Sequence, residues 1–201
     1  MSWDLYFQKN KGRSVRPLYA KAVEIASKPQ TEKSVAIDFG CGAGIESEDL
    51  LNRGWSVVAI DGEPSSIETT LDLVKTNANK KIKTICQRFE DLIFLPQSEF
   101  IYAYHSLPFC SAVHFDRIWS LIDASLLPEG IFAGSFFGLN DAWVKTGHTV
   151  GISPEKLKSF LIGFDVLHFE EVDQMGNTAL SGVKHWHYID VIAKKNARSR
   201  S

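Results

Sequence analysis

The run Val35-Ala36-Ile37-Asp38-Phe39-Gly40-Cys41-Gly42-Ala43-Gly44 constrains this chain more than any other segment. Three strand-forming apolar residues lead into an acid, and three alternating glycines follow. Such glycines permit a tight turn and let a ligand approach the backbone closely. A strand, a glycine turn and a helix in that order build a nucleotide-type cofactor site. The dinucleotide pattern G-x-G-x-x-G would need its third glycine at position 45, where Ile45 stands. The next helix opens with Glu46, Glu48 and Asp49, and its first basic residue is Arg53. Acids suit a helix N-terminus but repel a pyrophosphate seated there. Asp38, facing the turn, offers its carboxylate to a cationic amine. The turn therefore favours a cofactor with an ammonium and a sulfonium and no phosphate.

Ser56-Val57-Val58-Ala59-Ile60 reads as the next buried strand, with Asp61 at its end. An acid about 20 residues beyond a glycine turn is placed to bind a ribose diol. Pro64 suits the first turn of the following helix, whose expected inner face is Ile67, Leu71, Val74 and Ala78. Further strands are expected over 82–86, 100–104 and 130–137, alternating with helical patterns. One such helix carries Phe115, Ile118, Trp119, Ile122 and Leu126 inward and stops at Pro128. This alternation predicts right-handed βαβ units and a parallel sheet. Segments 164–170 and 184–193 read as a closing antiparallel pair. An N-terminal helix carries Val15, Leu18, Tyr19, Ala22, Val23 and Ala26 and ends by Lys28-Pro29. Segments 7–17 and 138–152 are expected to be irregular and to cover the pocket.

These residues resemble the class I S-adenosylmethionine-dependent methyltransferases. Positions 38–44 look like their first motif and Asp61 like the ribose-binding acid of their second. Phe89-Glu90-Asp91 looks like the adenine-contacting segment. Phe100 to His105 with Ser106-Leu107-Pro108-Phe109 looks like the fourth motif, beside the site of methyl transfer. The resemblance implies an α/β, Rossmann-like three-layer sandwich: a mostly parallel seven-stranded sheet, order 3-2-1-4-5-7-6, with an antiparallel C-terminal hairpin. It implies one methyltransferase domain over 1–195, with 1–30 as a helical cap and 196–201 as a flexible basic tail. It implies S-adenosylmethionine as cofactor, held by Asp38, Gly40, Cys41, Gly42, Gly44, Asp61, Gly62, Phe89, Glu90 and Tyr104. Within the family the chain is similar to small bacterial enzymes of the tellurite-resistance type.

In-line transfer of an activated methyl needs alignment and exclusion of water more than it needs acid–base chemistry. Where a proton must leave, His105 is the candidate base; otherwise it lines the pocket. Ser106 is expected to orient the acceptor, and Phe109 and Trp143 to stack on it or to pack as core. His148 lies in the same covering segment as Trp143. Arg13 and Arg16 are candidates for an anionic group, with a solvated helix entry as the alternative. His185 and His187 share a strand face but lack further ligands, so no metal is expected. Cys41 is expected to be structural, and Cys86 and Cys110 buried.

With 201 residues and 44% hydrophobic content, the chain suits one domain with a full core. A formal net charge of -2 supplies no field for nucleic acid, and the N-P-P-Y turn of amino-methylating nucleic-acid enzymes is absent. No apolar stretch has the length of a membrane span, and three cysteines without a C-x-x-C pair fit a reducing compartment. The expected protein is thus cytoplasmic, with a small-molecule acceptor. A non-catalytic module binding S-adenosylmethionine or S-adenosylhomocysteine, and a nicotinamide-dependent oxidoreductase, are the alternatives.

Overall fold

The computed structural model describes residues 3–10, 12–26, 29, 31, 33–78, 81–180 and 182–197. The end of the N-terminal cap helix at Lys28 and the tail at 198–201 lie outside the described residues. Seven strands form one sheet: β1 (Val35–Phe39), β2 (Ser56–Asp61), β3 (Ile82–Cys86), β4 (Ser98–Tyr104), β5 (Leu126–Phe137), β6 (Phe164–Asn177) and β7 (Val183–Lys195). Their order is β3-β2-β1-β4-β5-β7-β6, as the resemblance implied. Strands β1 to β5 pair in parallel, and β7 is antiparallel to both β5 and β6.

Successive side chains of a strand point to opposite faces, and two apolar clusters use this alternation. Ile37, Phe39, Ile60 and Ile101 pack with α5 (Phe115–Ser125) and α7 (Pro154–Phe160). Ala36, Val57, Ala59 and Phe100 pack with α2 (Pro17–Ile25), α3 (Ile45–Asn52) and α4 (Pro64–Val74). The result is three layers with the sheet in the middle. None of the described helices is long and apolar enough to cross a membrane.

Several local expectations are corrected. Segment 7–17 is not wholly irregular, because α1 spans Trp3–Asn10. Its inward residues, Trp3 and Tyr6, are one turn apart and pack on Ala43 and Ile45. Helix α2 starts at Pro17, so Val15 precedes it. The inner face of α4 is Ser66, Ile67, Thr70 and Val74, while Leu71 is exposed and Ala78 lies past the helix. Small hydroxyl residues face inward there because Ser66 Oγ donates to Gly42 O at 2.7 Å, seating the helix on the glycine turn. Helix α5 ends at Ser125, and Leu126 opens β5 rather than closing the helix. The closing strands are longer than expected and form a hairpin, closed by Thr178 N–H donating to Gly182 O at 2.7 Å. Cys86 is exposed, because β3 is an edge strand; Cys41 and Cys110 are buried and free. The covering segment 138–152 contains a short helix, α6 (Ala142–Lys145).

Candidate active site

A cavity of about 400 Å³ opens at the C-terminal ends of β1, β2 and β4, where open α/β sheets take ligands. Its β2–β3 side is lined by Gly40, Gly42, Asp61, Gly62, Glu63, Arg88, Phe89 and Glu90. Its β4–β7 side is lined by Tyr104, His105, Ser106, Phe109, Trp143 and Trp186. Trp3 and Tyr6 of α1 and Thr178, Ala179 and Leu180 of the hairpin turn complete the lining. Lys9 Nζ donates to Ala179 O at 3.0 Å, joining α1 to the hairpin turn.

The glycine turn is shaped for close approach. Gly40, Gly42 and Gly44 all have positive φ, at 90°, 54° and 77°, which glycine adopts without steric cost. Asp61 is fixed by the turn it faces: Oδ2 accepts from Gly42 N–H and Oδ1 from Glu63 N–H, each at 3.0 Å. A carboxylate has about four acceptor sites, so two remain for a pair of hydroxyl donors. Phe89 stacks on Phe39 with ring centroids 4.3 Å apart. Glu90 Oε1 accepts from Ser111 N–H at 2.5 Å, and Arg117 donates to Glu90 O and Leu92 O, each at 2.6 Å. Arg117, which no motif marked, thus pins the segment expected at the adenine.

Not every expected site residue reaches the cavity. Asp38 is 2% exposed, is not part of the lining, and accepts from Ser47 Oγ at 2.6 Å. Cys41 lies 3.6 Å from both Ser66 Oγ and Thr70 Oγ1, behind the turn, and burial raises its thiol pKa well above the ordinary range. Gly44 caps α3 against Thr70. Arg13 pairs with Glu46 through two bonds of 2.7 and 2.6 Å, so that acid at the start of α3 is held by a guanidinium. Arg16 lies over the Tyr104 ring at 4.6 Å and donates to Tyr6 Oη at 2.9 Å. His148 lines an adjoining hollow with Arg88, Glu90, Phe109 and Cys110.

His105 has φ of 50° and follows β4 directly. Its ring centroid is 4.1 Å from that of Tyr104 and 5.5 Å from that of Trp186, 15° from parallel to the latter. Burial drives its pKa well below the usual histidine range, and Arg16 and Lys184 push the same way. Among the described residues its Nε2, which is buried, has no hydrogen-bond partner. His105 is therefore neutral near pH 7 and a reluctant proton acceptor.

Burial, with repulsion from Glu46, pushes the Asp38 pKa up to about 7 against the opposing Ser47 bond. The native carboxyl then keeps a proton that the unfolded chain releases near pH 4. Its contribution to stability falls as pH rises from about 4 to about 7. Asp38→Asn should flatten this part of the pH–stability curve. Urea unfolding at several pH values reads the slope, and an unchanged slope refutes the assignment.

Sequence reading also passed over Trp186, Lys184 and Asp141. Lys184 Nζ lies 3.7 Å from the Trp143 ring centroid and 3.8 Å from that of Trp186, and 2.5 Å from Asp141 Oδ1. His187 bonds Glu171 and His185 bonds Asp173, each at 2.7 Å, so carboxylates of β6 partner both histidines. Among the described residues, no group of three or more His, Cys, Asp or Glu is arranged to hold a metal ion.

The sheet order, the glycine turn and the acid ending β2 together form an open α/β fold with a cavity at the C-terminal ends of its strands. The chain's fold is that of the Rossmann-like methyltransferases. Residues 36–130 match the family model described as a methyltransferase domain. TehB from Haemophilus influenzae superposes with a TM-score of 0.76 at 16% identity, covering 97% of this chain and 68% of that one. This fits the resemblance to the tellurite-resistance type. The N-methyltransferase NodS from Bradyrhizobium japonicum, in complex with S-adenosylhomocysteine, gives 0.68 at 12% identity over 97% and 99% of the two chains. The 1,6-didemethyltoxoflavin-N1-methyltransferase of Burkholderia thailandensis, with bound 1,6-didemethyltoxoflavin and S-adenosylhomocysteine, gives 0.66 at 19% identity over 90% and 77%. At these identities the solved structures speak for the fold. Among curated proteins, none matches this chain in sequence. The methyltransferase-domain match over residues 36–130 favours methyl transfer over the nicotinamide alternative.

Proposed function

We propose that this enzyme methylates a small-molecule acceptor held on the β4–β7 side of the cavity. The observation that carries this is a cavity of about 400 Å³ that holds both the cofactor side and the acceptor side, with α1 joined to the hairpin turn by the Lys9–Ala179 bond. That is small-molecule scale. A net charge of -2 gives no support to a nucleic-acid substrate. The small-molecule substrate of the Burkholderia enzyme supports the same reading.

The residues fit S-adenosylmethionine. Asp61 has acceptor sites left for the ribose diol, Gly40 and Gly42 leave room beside the backbone, and Gly62, Phe89 and Glu90 border the place of the adenine. Asp38, Cys41 and Gly44 act behind the turn, shaping it. The cofactor supplies an activated methyl group. The protein orients the acceptor with Tyr104, Ser106, Phe109 and Trp143 and excludes water with α1. His105 serves as a neutral wall rather than a base. Arg13 and Arg16 brace the segment after α1, and His148 borders the approach to the acceptor.

Calorimetric titration with S-adenosylhomocysteine tests the cofactor reading. Saturable binding is expected. Asp61→Ala should weaken it about 100-fold, since two hydrogen bonds to a charged group contribute about 1.5 kcal/mol each. Asp61→Asn, which keeps one acceptor oxygen, should fall between. Unchanged affinity in Asp61→Ala would remove that residue from the site.

A further inference from the structure

Among the described residues, the β4–β7 side of the cavity is mainly aromatic, and His105 is its one basic side chain. Trp3, Tyr6, Phe109, Trp143 and Trp186 line it, with Leu180 beside them. Trp3 meets Phe109 edge-on at 5.2 Å, and Trp143 meets Trp186 at 5.4 Å. These rings offer faces and edges to a flat ligand.

We propose that the acceptor is a small, uncharged, planar heteroaromatic molecule that attacks through the lone pair of a ring nitrogen, so that the protein removes no proton. This rests on the methyl-transfer reading above.

The charges near this wall are already matched. Lys184 touches both tryptophan faces, but Asp141 holds it at 2.5 Å and the pair is buried, so it is not offered to an anionic acceptor. Arg16 is spent on the Tyr104 ring and the Tyr6 hydroxyl. The lining acids, Asp61, Glu63 and Glu90, stand on the β2–β3 side; Asp61 and Glu90 accept backbone N–H groups there. Among the described residues, an ammonium acceptor therefore finds no carboxylate on the aromatic side.

The titratable groups on this side are poor proton acceptors. His105 is neutral, and its Nε2 is buried among rings. Burial holds the Tyr104 phenol protonated far above neutrality. Alcohols, phenols and protonated amines must lose a proton on methylation, whereas a pyridine-type nitrogen need not. Its lone pair forms the N–CH3 bond as the methyl's bond to sulfur breaks, and that bond's electron pair stays on sulfur. The positive charge passes from sulfur to nitrogen with no proton exchanged. The ring faces can stabilise that charge at either position.

The test uses the full chain saturated with S-adenosylhomocysteine, titrated with isoquinoline, benzoate and benzylammonium and followed by saturation-transfer NMR and calorimetry. Isoquinoline is expected to bind at least tenfold more tightly than either ion. Trp143→Ala and Trp186→Ala should each weaken it at least tenfold, with S-adenosylhomocysteine affinity changed less than twofold. The Phe variants should retain most of the isoquinoline binding and guard against loss of folding. With S-adenosylmethionine, mass spectrometry should find N-methylisoquinolinium, and phenol should react more slowly. Tighter binding of benzoate or benzylammonium, or faster methylation of phenol, overturns the proposal while leaving the cofactor reading intact. Absence of S-adenosylhomocysteine binding in the unmodified protein overturns both.

Discussion

Asp141→Ala should lower the unfolding free energy by about 3–5 kcal/mol, the usual cost of leaving one partner of a buried ion pair alone. Asp141 is fully buried and Lys184 is 8% exposed. Burial already pulls the Lys184 pKa down, and Asp141 is what opposes the pull. The same carboxylate accepts from Trp143 N–H at 2.9 Å and from His187 N–H at 3.1 Å. Its removal therefore leaves a cation unpaired, uncaps α6 and orphans two backbone donors at once. Lys184→Met removes the charge but leaves Asp141 its two backbone donors, so a smaller loss is expected. Asp141→Asn with Lys184→Met should cost less than Asp141→Asn and Lys184→Met summed, because a neutral amide keeps an oxygen for the backbone and no charge is stranded. Urea unfolding of the parent, Asp141→Asn, Lys184→Met and the double variant gives the cycle. A loss under about 1 kcal/mol in Asp141→Ala would mean that Lys184 escapes to water instead of staying buried without its partner. The Trp143 and Trp186 wall would then have another origin.

That pair shows where sequence reading stops. Asp141 and Lys184 are 43 residues apart, and neither belongs to a pattern. Their meeting follows from the β7 hairpin folding back beside β5, which the apolar periodicity of the two strands indicates only as a pairing. Trp186 stood between two histidines that drew attention to metal chemistry, although β6 carboxylates partner both. The inner parallel strands were legible because each is a short apolar run ending in a turn residue or an acid. Helix α1 was not, because one turn bearing Trp3 and Tyr6 gives too little periodicity to separate from a loop. In α4 the pattern pointed to Leu71, yet Ser66 and Thr70 face inward because the glycine turn offers them a carbonyl and a thiol. The first motif was legible as a shape and less so as a set of contacts. Spacing alone could not show that Asp38 and Cys41 turn away from the cavity while Gly40, Gly42 and Asp61 face it.

Gly40 gives that shape its sharpest test. Its φ is 90°, and a Cβ there would sit 2.2 Å from Ser106 Cβ and 2.9 Å from Ser106 Oγ. Ser106 is not free to yield: it is buried, and its hydroxyl donates to Phe39 O at 2.5 Å, tying the end of β4 to the end of β1. Gly40→Ala must therefore push these strand ends apart at the floor of the cavity. Left-handed strain contributes about 1–2 kcal/mol, and overpacking a further 1–3 kcal/mol. A loss of roughly 2–5 kcal/mol is expected from these together, with S-adenosylhomocysteine affinity reduced at least tenfold. Gly12 supplies the control. Its φ is 75° and none of the described residues lies within 4 Å of its added Cβ, so Gly12→Ala should show the strain alone and bind within twofold of the parent. Urea unfolding and calorimetry on the two variants separate the effects. Equal losses would mean that the turn tolerates displacement of Ser106. A normal affinity in a destabilised Gly40→Ala would mean that the turn supports the fold without shaping the cofactor's seat.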